Sequence, residues 1–209
     1  MGKIAKILLD IKAVALSPDE PFTWASGIKS PIYCDNRLIL SYPEERDVVE
    51  DSLADLIKKD YPTVEYIMGT ATAGIPHGAL VAERLNIPMG FVRSSKKDHG
   101  KQNQIEGKLV KGAKVVVVED LFSTGGSSID VAVALEKAGF EVLGIVSIFT
   151  YNLPVADENF KKHNLKHSSL TNYEELTKYA KEINYINEKQ LEKLTEWRKD
   201  PQDSSWMSL

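Results

Sequence analysis

The sequence predicts an α/β protein built on a doubly wound, mainly parallel central sheet, with a small N-terminal region before it and helices after it. Three observations carry that expectation. Val115, Val116, Val117 and Val118 form a β-branched run suited to a strand buried on both faces. Strand-type and helix-type patterns alternate along the middle of the chain, and strand, helix, strand implies a right-handed crossover. The valine run ends in Glu119 and Asp120 and then a turn of Ser123, Thr124, Gly125, Gly126, Ser127 and Ser128, at the strand end where open α/β sheets hold their ligands.

The elements follow in order. Residues 3–16 are amphipathic and read as a helix; Lys6, Asp10 and Lys12 interrupt them too often for a signal peptide or a membrane span. Ser17, Pro18, Asp19, Glu20 and Pro21 break that helix, and residues 22–37 read as short extended pieces around Gly27 and Pro31. Pro43 suits a first helical turn, Glu44 and Glu45 complement its dipole, and Val49, Leu53, Leu56 and Ile57 repeat as one apolar face. Next come a strand at 64–68, a helix at 74–85 and a strand at 88–92. Residues 94–108 are polar, charged and without period, a length of loop that is usually a lid or disordered. After the valine strand, a helix over about 127–138 is closed by Gly139, and a strand follows at 142–149. From Pro154 the pattern turns helical and polar, with helices at 173–181 and 188–199 and a tail over 200–209.

The chain has 209 residues, enough for one substantial core, and is expected to be a single domain. Lys and Arg number 26 against 30 Asp and Glu, a net charge of −4, which gives no electrostatic case for nucleic acid. A single cysteine, Cys34, excludes an internal disulfide framework and a multi-cysteine metal site, so a reducing, cytoplasmic setting with no membrane partner fits best. The segment from Gly107 to Gly112 is followed by Ala113 and Lys114, so the nearest approach to a Walker A loop fails, and no G-x-G-x-x-G, H-E-x-x-H or G-x-S-x-G is present.

The turn after the valine strand offers backbone N–H groups and hydroxyls to an anion. Glu119 and Asp120 are the wrong charge for phosphate but suit hydroxyl groups or a metal. A ribose 5-phosphate with a cation partner is the simplest ligand that satisfies both.

Residues 115–128 resemble the phosphoribosyl pyrophosphate signature of the type I phosphoribosyltransferases: an apolar strand, two acids, then a Thr/Ser/Gly loop. Three further segments, 22–34, 69–76 and 93–100, resemble the orotate-specific members of that family, and the likeness covers roughly residues 20–150. It implies a hood at about 1–40, a core at about 41–153 and a C-terminal helical extension at about 154–209. The same likeness implies transfer of ribose 5-phosphate from phosphoribosyl pyrophosphate to orotate, giving orotidine 5′-monophosphate for pyrimidine synthesis. Mg²⁺ would be held mainly by substrate oxygens, with no dedicated protein ligands, and the expected assembly is a homodimer with shared active sites.

Roles follow residue by residue from the resemblance. Glu119 and Asp120 contact the ribose hydroxyls, and Leu121, Phe122, Ser123, Thr124, Gly125, Gly126 and Ser127 complete the ribose 5-phosphate site. Thr70, Ala71, Thr72 and Ala73 bind pyrophosphate, mainly through backbone amides. Lys29, Tyr33, Cys34 and Ser123 meet orotate. Arg93, Lys97 and His99 belong to a cationic lid over the leaving group and, with Asp120, form the catalytic set. The chain departs from relatives at Ala25, Ala73 and Ser94, where some carry Lys, and at Thr150, near which some carry an Arg for the orotate carboxylate. His77 reads as a packing or capping residue, and His163 and His167 as part of a solvated connection. A purine-type phosphoribosyltransferase and a non-enzymatic phosphoribosyl pyrophosphate sensor are the competing readings. The hood segment favours orotate over the first, and the missing basic surface disfavours the second.

Overall fold

The computed structural model describes residues 2–24, 26–93 and 104–209. They divide into two compact units, one made of residues 1–43 and 171–209 and the other of residues 44–170.

In the N-terminal part of the first unit, helix α1 (Lys3–Asp10) buries Ile4, Ala5, Ile7, Leu8 and Leu9. The helix expected to reach residue 16 stops there. Lys12 adopts φ 58°, a left-handed conformation that ends the helix, and strand β1 (Val14–Leu16) follows. A hairpin of β2 (Phe22–Thr23) and β3 (Lys29–Ser30) leads into β4 (Ile32–Cys34), which pairs antiparallel with β1 and sets Val14 opposite Cys34. A 3₁₀ turn, Asn36–Ser41, is capped by Asp35, whose side chain accepts from the Arg37 N–H.

The second unit is the α/β core. Helix α2 (Pro43–Asp60) begins with Glu44 and Glu45 and ends with Lys58 and Lys59, charges that complement its dipole, and it buries Val49, Leu53 and Ile57. Then come β5 (Tyr66–Thr70), α3 (Gly74–Leu85), β6 (Met89–Val92), β7 (Ile105–Glu106), β8 (Lys114–Phe122), α4 (Gly126–Lys137), β9 (Glu141–Thr150), α5 (Pro154–Lys162) and β10 (His167–Asn172). The sheet order is β10-β9-β8-β5-β6-β7. Strands β9, β8, β5 and β6 are mutually parallel, and β7 adds an antiparallel edge. Strand β10 lies where the sequence suggests only helices; it is a polar edge strand without an alternating pattern to mark it.

The valine run is buried on both faces as expected. Val115 and Val117 join Tyr66 and Met68 in one core with Ile129, Val131, Ala132 and Leu135 of α4. Val116, Val118 and Ile67 are equally buried but belong to the alternate positions. A Cβ on Gly78 of α3 would stand 3.6 Å from Ile67 Cγ2, so α3 covers the face opposite α4. The sheet is therefore doubly wound. Each such valine contributes roughly 1.5–3 kcal/mol through burial.

The chain returns to the first unit with α6 (Tyr173–Glu182) and α7 (Glu188–Lys199), then a short 3₁₀ turn, Ser205–Ser208. Helix α6 packs against α1 and α7. Among the described residues no helix is long and apolar enough to cross a membrane.

Candidate active site

Strand β5 continues through α3 to β6 on one side, and β8 continues through α4 to β9 on the other. The two strands are neighbours, so their carboxyl ends form the switch point where such sheets open a crevice. A cavity of about 250 Å³ lies there, lined by Ala71, Thr72 and Ala73 after β5 and by Glu119, Asp120, Leu121, Ser123, Thr124, Gly125, Gly126 and Ser127 from β8 onward. Two segments that lie far apart in sequence thus share one cavity.

Helices α3 and α4 both begin at this cavity, at Gly74 and Gly126. Their first N–H groups lack helical partners and carry the positive end of each helix dipole, which suits phosphate groups. Glycine is needed at two of the approaches. Gly125 has φ 79°, and a Cβ there would stand 2.9 Å from the Phe160 ring. A Cβ on Gly74 would stand 2.4 Å from the Val118 carbonyl oxygen, so α3 can approach β8 only without a side chain. The Ala71–Thr72 peptide is cis.

The two acids differ in environment. Glu119 is only 6 % exposed, and its carboxylate accepts from Ser128 Oγ at 3.2 Å, from Ser127 Oγ at 3.5 Å and from the Asp120 N–H at 3.1 Å. Burial first, and the adjacent Asp120 second, push its pKa up to about 8. Asp120 is half-buried on the cavity lining.

The other sequence-derived candidates fall in several places. Phe122, expected at the 5-phosphate, is instead a core residue outside the cavity lining, its ring 5.1 Å from that of Phe160 between centroids and its carbonyl accepting from the Tyr151 N–H at 3.0 Å. Thr70 ends β5 with a buried hydroxyl that has no partner among the described residues. Its residue lines a neighbouring cavity of about 560 Å³ with Ala71, Arg93, Gln104, Ser127, Asp130 and Lys137. Arg93 sits there with its Nη1 3.7 Å from Glu106 Oε1. Lys97 and His99, like Ala25 and Ser94, lie outside the described residues. In the first unit, Lys29 Nζ donates to Thr23 Oγ1 at 2.7 Å, the Tyr33 ring is exposed 5.7 Å from that of Phe22, and Cys34 Sγ donates to Asn36 Oδ1 at 3.4 Å. Thr150 is taken up by a turn, accepting from the Asn152 N–H at 3.0 Å.

Several features escape sequence reasoning. Ser128 carries the hydrogen bond that seats Glu119, a role its place in a hydroxyl-rich turn only hints at. Asp130 and Lys137 of α4, which belong to no motif, line the neighbouring cavity. His77 is fully buried and shares a 2.5 Å hydrogen bond with Glu50 of α2. Burial raises the Glu50 pKa, with His77 opposing that rise. His167 departs from the solvated reading: its ring stacks on Phe160 with centroids 4.1 Å apart, and its Nε2 lies 3.1 Å from Asp157 Oδ1.

A doubly wound sheet whose switch point holds two helix N-termini, an acidic pair and a Ser/Thr/Gly turn defines the type I phosphoribosyltransferase class. Residues 38–180 match the phosphoribosyl transferase domain. The chain is 59 % identical to an orotate phosphoribosyltransferase of Bacillus pumilus, over 98 % of this chain and 97 % of that protein. It is 57 % identical to an orotate phosphoribosyltransferase of Bacillus subtilis, over 97 % of this chain and 94 % of that one. The crystal structure of orotate phosphoribosyltransferase from Aeropyrum pernix superposes with a TM-score of 0.76 at 28 % identity, covering 88 % of this chain and 99 % of the other. The chain belongs to the orotate phosphoribosyltransferase family.

Proposed function

We propose that the protein transfers the ribose 5-phosphate group of phosphoribosyl pyrophosphate to orotate, releasing pyrophosphate and forming orotidine 5′-monophosphate in pyrimidine synthesis. One observation carries the reading. Residues 71–73 and the acid and glycine segment 119–127 meet at one cavity, in a chain 59 % identical to a protein named for this activity.

The chemistry asks the protein for positioning and charge. Backbone N–H groups of residues 123–127 and the N-terminus of α4 hold the 5-phosphate, while the Ser and Thr hydroxyls add hydrogen bonds. Asp120, on the cavity lining, accepts from the ribose hydroxyls; Glu119 joins it from its buried seat. Thr70, Ala71, Thr72 and Ala73, with the N-terminus of α3, cradle pyrophosphate. Orotate N1 attacks ribose C1 from the face opposite pyrophosphate, the C1–O bond breaks with its electron pair leaving on pyrophosphate, and the N1 proton is released to the departing pyrophosphate. Arg93, Lys97 and His99 neutralise charge as it grows on the departing oxygens, the part of the reaction where preorganised cations act most strongly. Orotate is met by Lys29, Tyr33, Cys34 and Ser123.

Mg²⁺ would be held mainly by substrate oxygens; on the protein side the half-buried Asp120 carboxylate is the hard oxygen donor that fits it. Bound with the donor, Mg²⁺ supplies charge neutralisation on pyrophosphate. We place the activity in the cytoplasm and in a homodimer whose lids complete one another's sites; sedimentation as a monomer at assay concentration contradicts that assembly.

The test is a panel of bases, each offered with phosphoribosyl pyrophosphate and Mg²⁺. Orotate alone is expected to be consumed. Consumption of adenine or hypoxanthine with orotate untouched overturns the assignment, and binding of the donor without turnover of any base points to a sensor.

A further inference from the structure

We propose that Trp197, on the C-terminal helix α7, is a positioning residue for the base. It fixes the β2–β3 hairpin and, through it, the segment carrying Lys29, Tyr33 and Cys34. The proposal rests on the reading of that segment as the orotate contact.

The hairpin has little to hold it by itself. Strands β2 and β3 are two residues each, pairing Phe22 with Ser30 and Thr23 with Lys29, and the turn adds a bond from the Trp24 N–H to the Ile28 carbonyl at 2.9 Å; an isolated ribbon of that size is not stable in water. Two tryptophan N–H groups supply the missing anchors. Trp197 is fully buried, and its Nε1 donates to the Lys29 carbonyl at 3.2 Å. Trp24, at the end of β2, donates from Nε1 to the Ile32 carbonyl at 3.4 Å, and its ring meets that of Trp197 edge-on with centroids 5.6 Å apart. The pair therefore grips the chain on both sides of the bend at Ser30 and Pro31, directly before Tyr33.

Helix α7 is itself held at the other approach to the hairpin. Asn187 and Gln190 form a capping box at its start. Gln190 Nε2 donates to Asp19 Oδ2 at 2.8 Å, and Lys193 Nζ donates to Asp19 Oδ1 at 2.9 Å. Asp19 lies in the turn between β1 and β2, so α7 binds the hairpin before its first strand and at its second. On its far side Trp197 packs on Tyr173 with centroids 5.7 Å apart, and the Tyr173 hydroxyl donates to the Leu194 carbonyl at 2.9 Å. The arrangement gives the C-terminal helices a specific task at the backbone of Lys29, which a merely space-filling helix would not need.

Trp197→Phe keeps a buried ring and removes the N–H to Lys29. Steady-state kinetics are expected to show KM for orotate raised about fivefold to tenfold, as for loss of one buried hydrogen bond, with KM for phosphoribosyl pyrophosphate changed less than about twofold. The melting temperature should stay within about 4 °C of the parent. If that variant does not fold, Lys193→Met, which loosens α7 from Asp19, carries the same test with an expected rise of about twofold to threefold in orotate KM. An unchanged orotate KM in a parent that turns orotate over overturns the positioning role alone. Parallel losses in both KM values and in melting temperature assign Trp197 to folding only and also overturn it. A parent that consumes no orotate brings down the functional reading first.

Discussion

Ser128 Oγ donates to Glu119 Oε2 at 3.2 Å, joining the end of β8 to the first turn of α4 across the Ser/Thr/Gly turn. The bond holds a carboxyl group in a nearly inaccessible place next to a second carboxylate, and that setting raises its pKa to about 8. The signature motif therefore sets two acids on the cavity, Glu119 buried beside Ser128 and Asp120 more open.

A dependence of stability on pH follows. The folded pKa of Glu119 lies above its ordinary value of 4.5, so its contribution is full below that value and is lost as pH rises through about 8. Glu119→Gln removes the titration. Melting temperatures of parent and variant, compared at about pH 5 and about pH 9, should diverge by several degrees in favour of the variant at the higher pH. Parallel curves contradict the buried, protonated carboxyl.

Asp120 is the more exposed of the two acids that line the cavity. Asp120→Asn should weaken phosphoribosyl pyrophosphate binding about tenfold or more, measured by titration calorimetry with Mg²⁺ present, because hydrogen bonds to an ionised acceptor are about twice as strong as neutral ones. Donor affinity equal to that of the parent removes Asp120 from the ribose contact.

Gly125 combines φ 79° with a Cβ position 2.9 Å from Phe160. Gly125→Ala is expected to destabilise the fold by about 1–3 kcal/mol in urea unfolding and to raise KM for phosphoribosyl pyrophosphate, since the turn must open to admit the methyl group. Unaltered unfolding shows that the Phe160 ring yields freely.

Lys97→Ala should lower turnover by about a hundredfold or more while donor affinity falls only modestly, because the charge it meets appears on the leaving group during bond cleavage. Equal turnover in a rapid-quench measurement removes Lys97 from the lid's chemistry.

The fold's centre was legible because its signals are physical and local. Val115 to Val118 can hardly be placed anywhere but a doubly covered strand, and Gly139 ends α4's path with φ 96° as a helix-closing glycine should. The periphery was harder to read. Strand β1 hides in an apolar run that continues the pattern of α1, and only Lys12's left-handed turn separates the two. Strand β10, with the sequence His-Ser-Ser-Leu-Thr-Asn, sits at a sheet edge where polar residues are tolerated, so periodicity cannot reveal it. At the site, segments 69–73 and 119–127 announce themselves by composition, but their meeting depends on sheet order. Asp130 and Lys137 could not be distinguished from an ordinary solvated helix face because nothing local marks the second cavity.

The most direct measurement is the stoichiometry of products when the purified protein is given orotate, phosphoribosyl pyrophosphate and Mg²⁺. The account predicts orotidine 5′-monophosphate and pyrophosphate in equal amounts, matched by the orotate lost. Pyrophosphate released with orotate intact, or no loss of either substrate under these conditions, contradicts it.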